Sequence, residues 1–352
     1  MKRLNMEDWA RNVFERKSVE LYSPHPDPRF KKTLTNMALS EYYGKLATIS
    51  KLSCLGCTTV QIHDIKYDCK KFIKPTINAS IVCSEATHIE WSPHCNFKNY
   101  FLLNSLGCSS SKGSAIVCKF NESLQSCELT SYPLSHGTAW YSTWCRNPFF
   151  SSFIGIAGSK EARLVDSEKK CTVFNIKSSS DVLCLGFSKM TSLGYLGCRN
   201  GYIMCVDIRA GDKNQKKSFF VSQRTSPTAV TSIKVMTDEN YLMASNINGL
   251  IQMWDVRVTN PVKKYSGNVN ESKQIPFVLD SYENLLASAG QDGKVRIWSA
   301  QTCELLKTID TTGTTNDDVI NIPPVCLGEN WAQCNGRLAF GLGIDDKLQM
   351  YF

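Results

Sequence analysis

The chain has 352 residues, 42% of them hydrophobic, and a formal net charge of +8. No run reaches the ~18–20 consecutive apolar residues of a membrane-spanning helix, and Met1-Lys-Arg-Leu-Asn-Met-Glu-Asp8 lacks the apolar stretch of an export signal. These features argue against a helical membrane protein and a secreted one, and lead us to expect a nuclear or cytoplasmic chain whose basic balance suits an acidic partner.

The first periodic segment runs from Asn5 to Lys17. Met6, Trp9, Ala10, Val13 and Phe14 recur at helical spacing, Asn5 can cap, Glu7 and Asp8 stand in the first turn, and Arg16 and Lys17 in the last. This predicts a short amphipathic helix. Alone it would be marginal in water, so its apolar face must dock, either on the rest of this chain or on a partner; the second option assigns Trp9, Val13 and Phe14 to a partner surface. Pro24-His-Pro-Asp-Pro28 cannot continue a helix and makes a stiff connector. Residues 1–28 are therefore read as helix and connector, and 29–352 as one domain.

From Lys45 onward a hairpin pattern recurs: a strand of small and apolar residues, a turn bearing Gly or Asn, and a second strand. The copies lie at 45–64, 100–120, 150–166, 193–207, 241–257, 285–298 and 337–351. The clearest is Tyr241-Leu-Met-Ala-Ser-Asn-Ile-Asn-Gly-Leu-Ile-Gln-Met-Trp-Asp-Val-Arg257, where Asn246 to Gly249 tolerate the positive φ of a tight turn and charge is absent until Asp255. A strand without charge is covered on both faces. The closing Trp254-Asp255 pair and a spacing near the ~40–45 residues of a WD40 unit predict an all-β, seven-bladed WD40 propeller. Radial repetition lets one domain grow to this length because each repeat packs on its neighbours. Phe352 directly follows the last second strand, so the outermost strand of the seventh blade is expected from the N-terminal region, with Ser18 to Tyr22 the first choice and Lys32 to Leu39 the second. An unpaired blade edge would otherwise invite aggregation.

Signatures of chemistry are poor. The sixteen cysteines are scattered through apolar strands and read as small buried hydrophobes. Cys54-Leu-Gly-Cys57, with His63 nearby, has the spacing of half a zinc site but no matching second pair, so no metal or other cofactor is expected. In Gly107-Cys-Ser-Ser-Ser-Lys-Gly-Ser114 the lysine precedes the glycine and a strand follows, which is a blade turn and not a phosphate loop. His94 and His136 sit at turns without the companions that would make either a catalytic base. The chain is read as a non-enzyme.

Lys66, Lys70, Lys71 and Lys74 form one basic loop, and Lys213, Lys216, Lys217 and Arg224 another. Neither carries the interleaved aromatics of a nucleic-acid stacking platform, which places an acidic protein face ahead of nucleic acid. Sharper are Val206-Asp207-Ile208-Arg209 and Trp254-Asp255-Val256-Arg257, which end equivalent strands of adjacent blades. Asp207, Arg209, Asp255 and Arg257 should share one rim, where two guanidinium forks suit carboxylates or carbonyls of a partner; the alternative is that each Asp-x-Arg only braces its own turn.

Asp-x-Arg boxes on consecutive WD blades resemble those of the DCAF proteins, the substrate receptors of the cullin-4 RING ubiquitin ligase. Leu196-Gly-Cys-Arg-Asn-Gly201, Asp238-Glu-Asn-Tyr-Leu-Met-Ala-Ser245 and Arg296-Ile-Trp-Ser299 are similar to the same family, with the resemblance strongest over about residues 190–310. It implies a non-catalytic, monomeric propeller that docks through its arginines on the ligase's adaptor, the damaged-DNA-binding protein one, and presents a substrate. The chain departs from the pattern in blade six, which has Ser299 and Gln301 in place of the box, and at Gly267-Asn268, which stands where a regular repeat has Gly-His. The reading from another class is a scaffold that binds RNA or an acidic nuclear protein through the basic loops.

Overall fold

Seven antiparallel sheets follow one another along the chain in a computed structural model that describes residues 6–12, 19–22, 32–40, 45–52, 57–68, 71–97, 99–108, 111–121, 123, 126–210, 228–258, 260–311, 322–328, 339–345 and 347–351. The chain opens with α1 (Met6–Asn12) and β1 (Val19–Tyr22). Blade one is β2 (Lys32–Leu39), β3 (Lys45–Leu52), β4 (Cys57–Asp68) and β5 (Lys71–Ser84); blade two is β6 (Ala86–Trp91), β7 (Tyr100–Ser105), β8 (Ser114–Asn121) and β9 (Ser126–Pro133). Blade three is β10 (Ala139–Trp144), β11 (Phe153–Gly158), β12 (Glu161–Asp166) and β13 (Cys171–Lys177). Blade four has three strands among the described residues, β14 (Val182–Phe187), β15 (Leu193–Cys198) and β16 (Ile203–Asp207). Blade five is β17 (Val230–Val235), β18 (Tyr241–Asn246), β19 (Ile251–Asp255) and β20 (Asn260–Tyr265); blade six is β21 (Phe277–Leu279), β22 (Leu285–Ala289), β23 (Lys294–Ser299) and β24 (Leu305–Asp310). Blade seven joins β25 (Val325–Gly328), β26 (Ala339–Ile344) and β27 (Lys347–Tyr351). All seven hairpins read from the sequence are the middle strand pairs of blades.

The outermost strand of blade seven is β1, antiparallel to β27 with Val19 opposite Met350 and Tyr22 opposite Lys347. Lys32 to Leu39 is instead the innermost strand of blade one. Sequence-distant ends are thereby zipped into one sheet, which covers the edge that β27 would otherwise expose.

Seven hydrophobic clusters correspond to the seven junctions between neighbouring blades. Ile49, Ile62, Ile89 and Phe101 join blades one and two, Trp144 packs with Leu102 between two and three, and Leu164 with Phe187 between three and four. Trp254 with Tyr195 and Trp298 with Met253 continue the series, Leu285 and Phe340 join six and seven, and Leu46 with Met350 closes the ring. The core thus lies between sheets, which is why a single blade could not be stable alone. Several cysteines serve here as small apolar residues: burial pushes the thiols of Cys145 and Cys326 up to about 12, so both stay protonated and inert near neutrality.

Local turn chemistry behaves as the residue types require. Gly249 adopts φ +80°, and a Cβ there would lie 2.4 Å from the Asn268 carbonyl oxygen; only glycine meets both demands. Where a regular repeat has Gly-His, Asn268 donates from Nδ2 to the Ala289 carbonyl at 3.0 Å, Arg296 forks onto Asp292, and Trp298 donates Nε1–H to the Ser266 carbonyl at 3.1 Å. A different polar network therefore ties this blade, with its buried members satisfied.

The first strand of each blade lines a central channel of about 1120 Å³. Strands alternate in direction, so in every blade the turn between first and second strands and the C-terminal end of the third strand emerge on one face of the ring, and the turn between second and third strands on the other.

Candidate docking rim

The register of the middle strands places the two Asp-x-Arg boxes at the same height. Asp207 lies opposite Leu193 at the start of β15, Asp255 opposite Tyr241 at the start of β18, and Ser299 opposite Leu285 in the next blade. Both boxes therefore begin the turn after a third strand and share one face, on neighbouring blades.

Each aspartate organises its own turn. Asp255 Oδ1 accepts the backbone N–H of Arg257 at 2.9 Å and its Nε–H at 2.9 Å, while Oδ2 accepts from Nη2 at 2.6 Å. Asp207 repeats the arrangement with Arg209 at 3.0, 3.0 and 2.7 Å. The backbone bond is an Asx-type turn, and the side-chain pair is a bidentate fork. Both readings of the boxes thus coexist in the geometry: the pairs brace their turns, yet the arginine side chains remain 67% exposed at Arg209 and 58% at Arg257. A guanidinium has five N–H donors and the fork engages two of them, so the remainder are directed away from the aspartate.

The two boxes differ in what lies beneath the arginine. The Arg257 guanidinium lies over the Tyr241 ring, 5.8 Å from its centroid, whereas Leu193 occupies the equivalent place under Arg209. The Arg257 fork holds the Asp255 carboxyl down to about 2, and the Arg209 fork holds Asp207 below the usual carboxylate range. Both pairs are fully ionised near neutral pH.

Hydrogen bonds along the same face join the blades that carry them. Asn147 of blade three donates to carbonyls of Met190 and Thr191 in blade four, Glu239 of blade five accepts from the Met190 and Thr191 N–H groups, and Thr237 donates to Glu283 of blade six. Within blade four the Ile208 N–H donates to the Ser192 carbonyl at 2.9 Å. The arginines consequently stand on a connected belt and not on independent loops. Sequence reading missed this belt, because its partners lie more than forty residues apart.

The helix behaves otherwise. Trp9 is 5% exposed, and with Ala10 it packs into the cluster of blades six and seven that contains Leu285, Ile297 and Phe340. Arg11 pairs with Glu304 at 2.9 Å, and Lys307 Nζ donates to the Arg11 carbonyl. The expectation that Trp9 meets a partner does not match this placement, since an indole already buried on its own domain offers no surface to another. Helical periodicity says that one face must be covered but not by what. Val13 and Phe14 lie outside the described residues, as do Cys54, Lys70 and the second basic loop with Lys213, Lys216, Lys217 and Arg224.

Other sequence candidates have structural roles. His94 is buried and its Nε2 donates to the Cys145 carbonyl at 2.6 Å, tying blade two to blade three. His63 Nε2 lies 3.2 Å from the Thr48 hydroxyl, and among the described residues no group of three His, Cys, Asp or Glu is arranged to hold a metal. No helix of the described residues is long and apolar enough to cross a membrane.

Comparison with known proteins adds to this geometry. Residues 10–352 match the family described as the DDB1- and CUL4-associated factor 4 beta-propeller domain. The chain is similar to human DDB1- and CUL4-associated factor 4, 35% identical over 174 residues that make up 49% of this chain and 34% of that protein. Its similarity to human DDB1- and CUL4-associated factor 4-like protein 2 is 33% over 174 residues, 49% of this chain and 43% of that protein. The Bos taurus DDB1- and CUL4-associated factor 4 is 32% identical over 174 residues, 49% of this chain and 34% of that protein. The aligned part spans less than half the length of each of these relatives. With the match covering all seven blades, this WD-repeat propeller belongs to the DDB1- and CUL4-associated factor 4 beta-propeller domain family.

Proposed function

We propose that the propeller is a non-catalytic substrate receptor: it docks on the adaptor DDB1 of a cullin-4 ubiquitin ligase through the rim that carries Arg209 and Arg257, and presents a protein substrate to the ligase. The observation that carries this reading is the pair of exposed guanidinium groups, each held by its own aspartate at equivalent positions of adjacent blades. Such an arrangement pre-organises the donors. An arginine already fixed by its neighbour loses little rotamer freedom on docking, and its fork geometry selects carboxylate or carbonyl acceptors. The family in which the chain lies is named for association with DDB1 and CUL4, which supports the same partner.

The test is association of the purified chain with purified DDB1, measured by biolayer interferometry, together with co-purification of DDB1 and cullin-4 from cells expressing the tagged chain. A specific interaction that is lost in Arg209→Ala with Arg257→Ala supports the reading. Absence of DDB1 binding, or recovery of RNA without DDB1, overturns it.

A further inference from the structure

The rim carries exposed apolar side chains in addition to its arginines, and two of them stand on adjacent blades. Phe149, at the tip of the first turn of blade three, is 90% exposed, and Met190, at the tip of the corresponding turn of blade four, 73%. Single exposed hydrophobic residues are ordinary on protein surfaces. These two differ in being held in place together by one buried polar side chain.

Asn147, 2% exposed, accepts the Phe149 N–H at its Oδ1 at 2.9 Å and donates from its Nδ2 to the carbonyls of Met190 at 3.3 Å and Thr191 at 2.9 Å. A single amide thus clamps the backbone of both tips. Glu239 of blade five grips the Met190 turn from its other side through the Met190 and Thr191 N–H groups. Two residues further on, the Ser192 carbonyl accepts the Ile208 N–H at 2.9 Å, which ties the Met190 turn to the Arg209 box. The result is an aromatic ring and a thioether displayed from hydrogen-bonded turns on the face that also carries the Arg209 guanidinium.

Aromatic residues, methionine and arginine are enriched at the cores of protein interfaces, and side chains fixed before binding cost less entropy to bury. We infer that Phe149 and Met190 form an apolar anchor continuous with Arg209 and Arg257, and that its occupant is DDB1; this rests on the docking function proposed above. The complementary surface on DDB1 would be an apolar depression flanked by carboxylates or carbonyls, with Phe149 and Met190 entering the depression and the arginines meeting its acidic border.

Affinity of the full chain for purified DDB1, measured at two salt concentrations, tests the inference. Phe149→Ala with Met190→Ala is expected to weaken binding by at least about 10-fold with its salt dependence unchanged, because the lost contact is apolar. Phe149→Leu with Met190→Leu keeps apolar area and should remain within about threefold of the wild type. Asn147→Ala should weaken binding although both anchor side chains are present, since it releases their backbones. If the wild type binds DDB1 but the double alanine variant binds within twofold of it, the anchor is refuted while the docking reading stands. If the leucine variant loses as much as the alanine variant, the apolar role is wrong. A wild type that does not bind DDB1 removes both.

Discussion

Replacing Arg209 and Arg257 by alanine separates a docking role from a bracing role, because the geometry assigns different atoms to each. The turn itself is held by the bond from the backbone N–H of residue 209 or 257 to Asp207 or Asp255 Oδ1, which alanine retains. What alanine removes is the fork and its outward-facing donors. Both arginines are more than half exposed, and exposed ion pairs add little to stability, so the melting temperature of the double variant should fall by less than about 2 °C. Binding should respond far more. Truncation of a well-placed interface arginine costs roughly 30-fold in affinity, and two sites on adjacent blades acting independently give on the order of 1000-fold. Biolayer interferometry against DDB1 and a thermal melt of the same preparation give both numbers. Arg257→Lys provides the control for chemistry: a lysine keeps the charge but cannot make the bidentate fork, and should recover only part of the affinity. A double alanine variant that melts several degrees early would show that the forks brace the fold, and one that binds DDB1 normally would remove the physical support for docking through this rim.

Trp9→Ala should destabilise the propeller by about 3 kcal/mol in chemical denaturation, the order expected for emptying a buried aromatic site; an unchanged midpoint would show that the helix is not held by this contact. Glu20→Pro with Leu21→Pro removes one ladder N–H of the β1–β27 pairing, since adjacent N–H groups of a strand point to opposite sides, and should expose the blade-seven edge, seen as self-association in light scattering coupled to gel filtration; a monodisperse monomer with wild-type melting would refute closure by this strand. Burial holds His88 down to about 4, with Glu90 opposing and Lys234 reinforcing the effect. Between the ordinary histidine value near 6.5 and about 4, the unfolded chain takes up a proton that the folded chain refuses, so stability falls as pH drops through that window. From pH 7.5 to pH 5 the loss should be roughly 1–2 kcal/mol and should shrink in His88→Gln; equal losses in both proteins would refute the assignment. Asp255 lies at the opposite extreme. Its carboxyl, held down to about 2 by the Arg257 fork, stays ionised until pH falls towards 2, so DDB1 binding should show no titration of this box between pH 6 and 8.

Strand alternation, turn residues and the Trp254-Asp255 ending act over a few residues, and for that reason the seven hairpins and the positions of Asp207, Arg209, Asp255 and Arg257 could be read directly from the sequence. The same locality explains why each Asp-x-Arg pair closes on itself: two residues of separation suffice to form the fork. Tertiary structure alone decided what covers each surface. The 3.6-residue period announced an apolar helix face, but only packing put Trp9 against Leu285 and Phe340, residues almost a whole chain away. Asn147 gave no sign in sequence that it clamps Met190, 43 positions on, or that Glu239 grips the same turn from the next blade. Periodicity encodes that a residue must be buried or turned, whereas the identity of its neighbour depends on how seven similar sheets are arranged around the ring, and the belt joining Phe149, Met190 and the arginines exists only once they are.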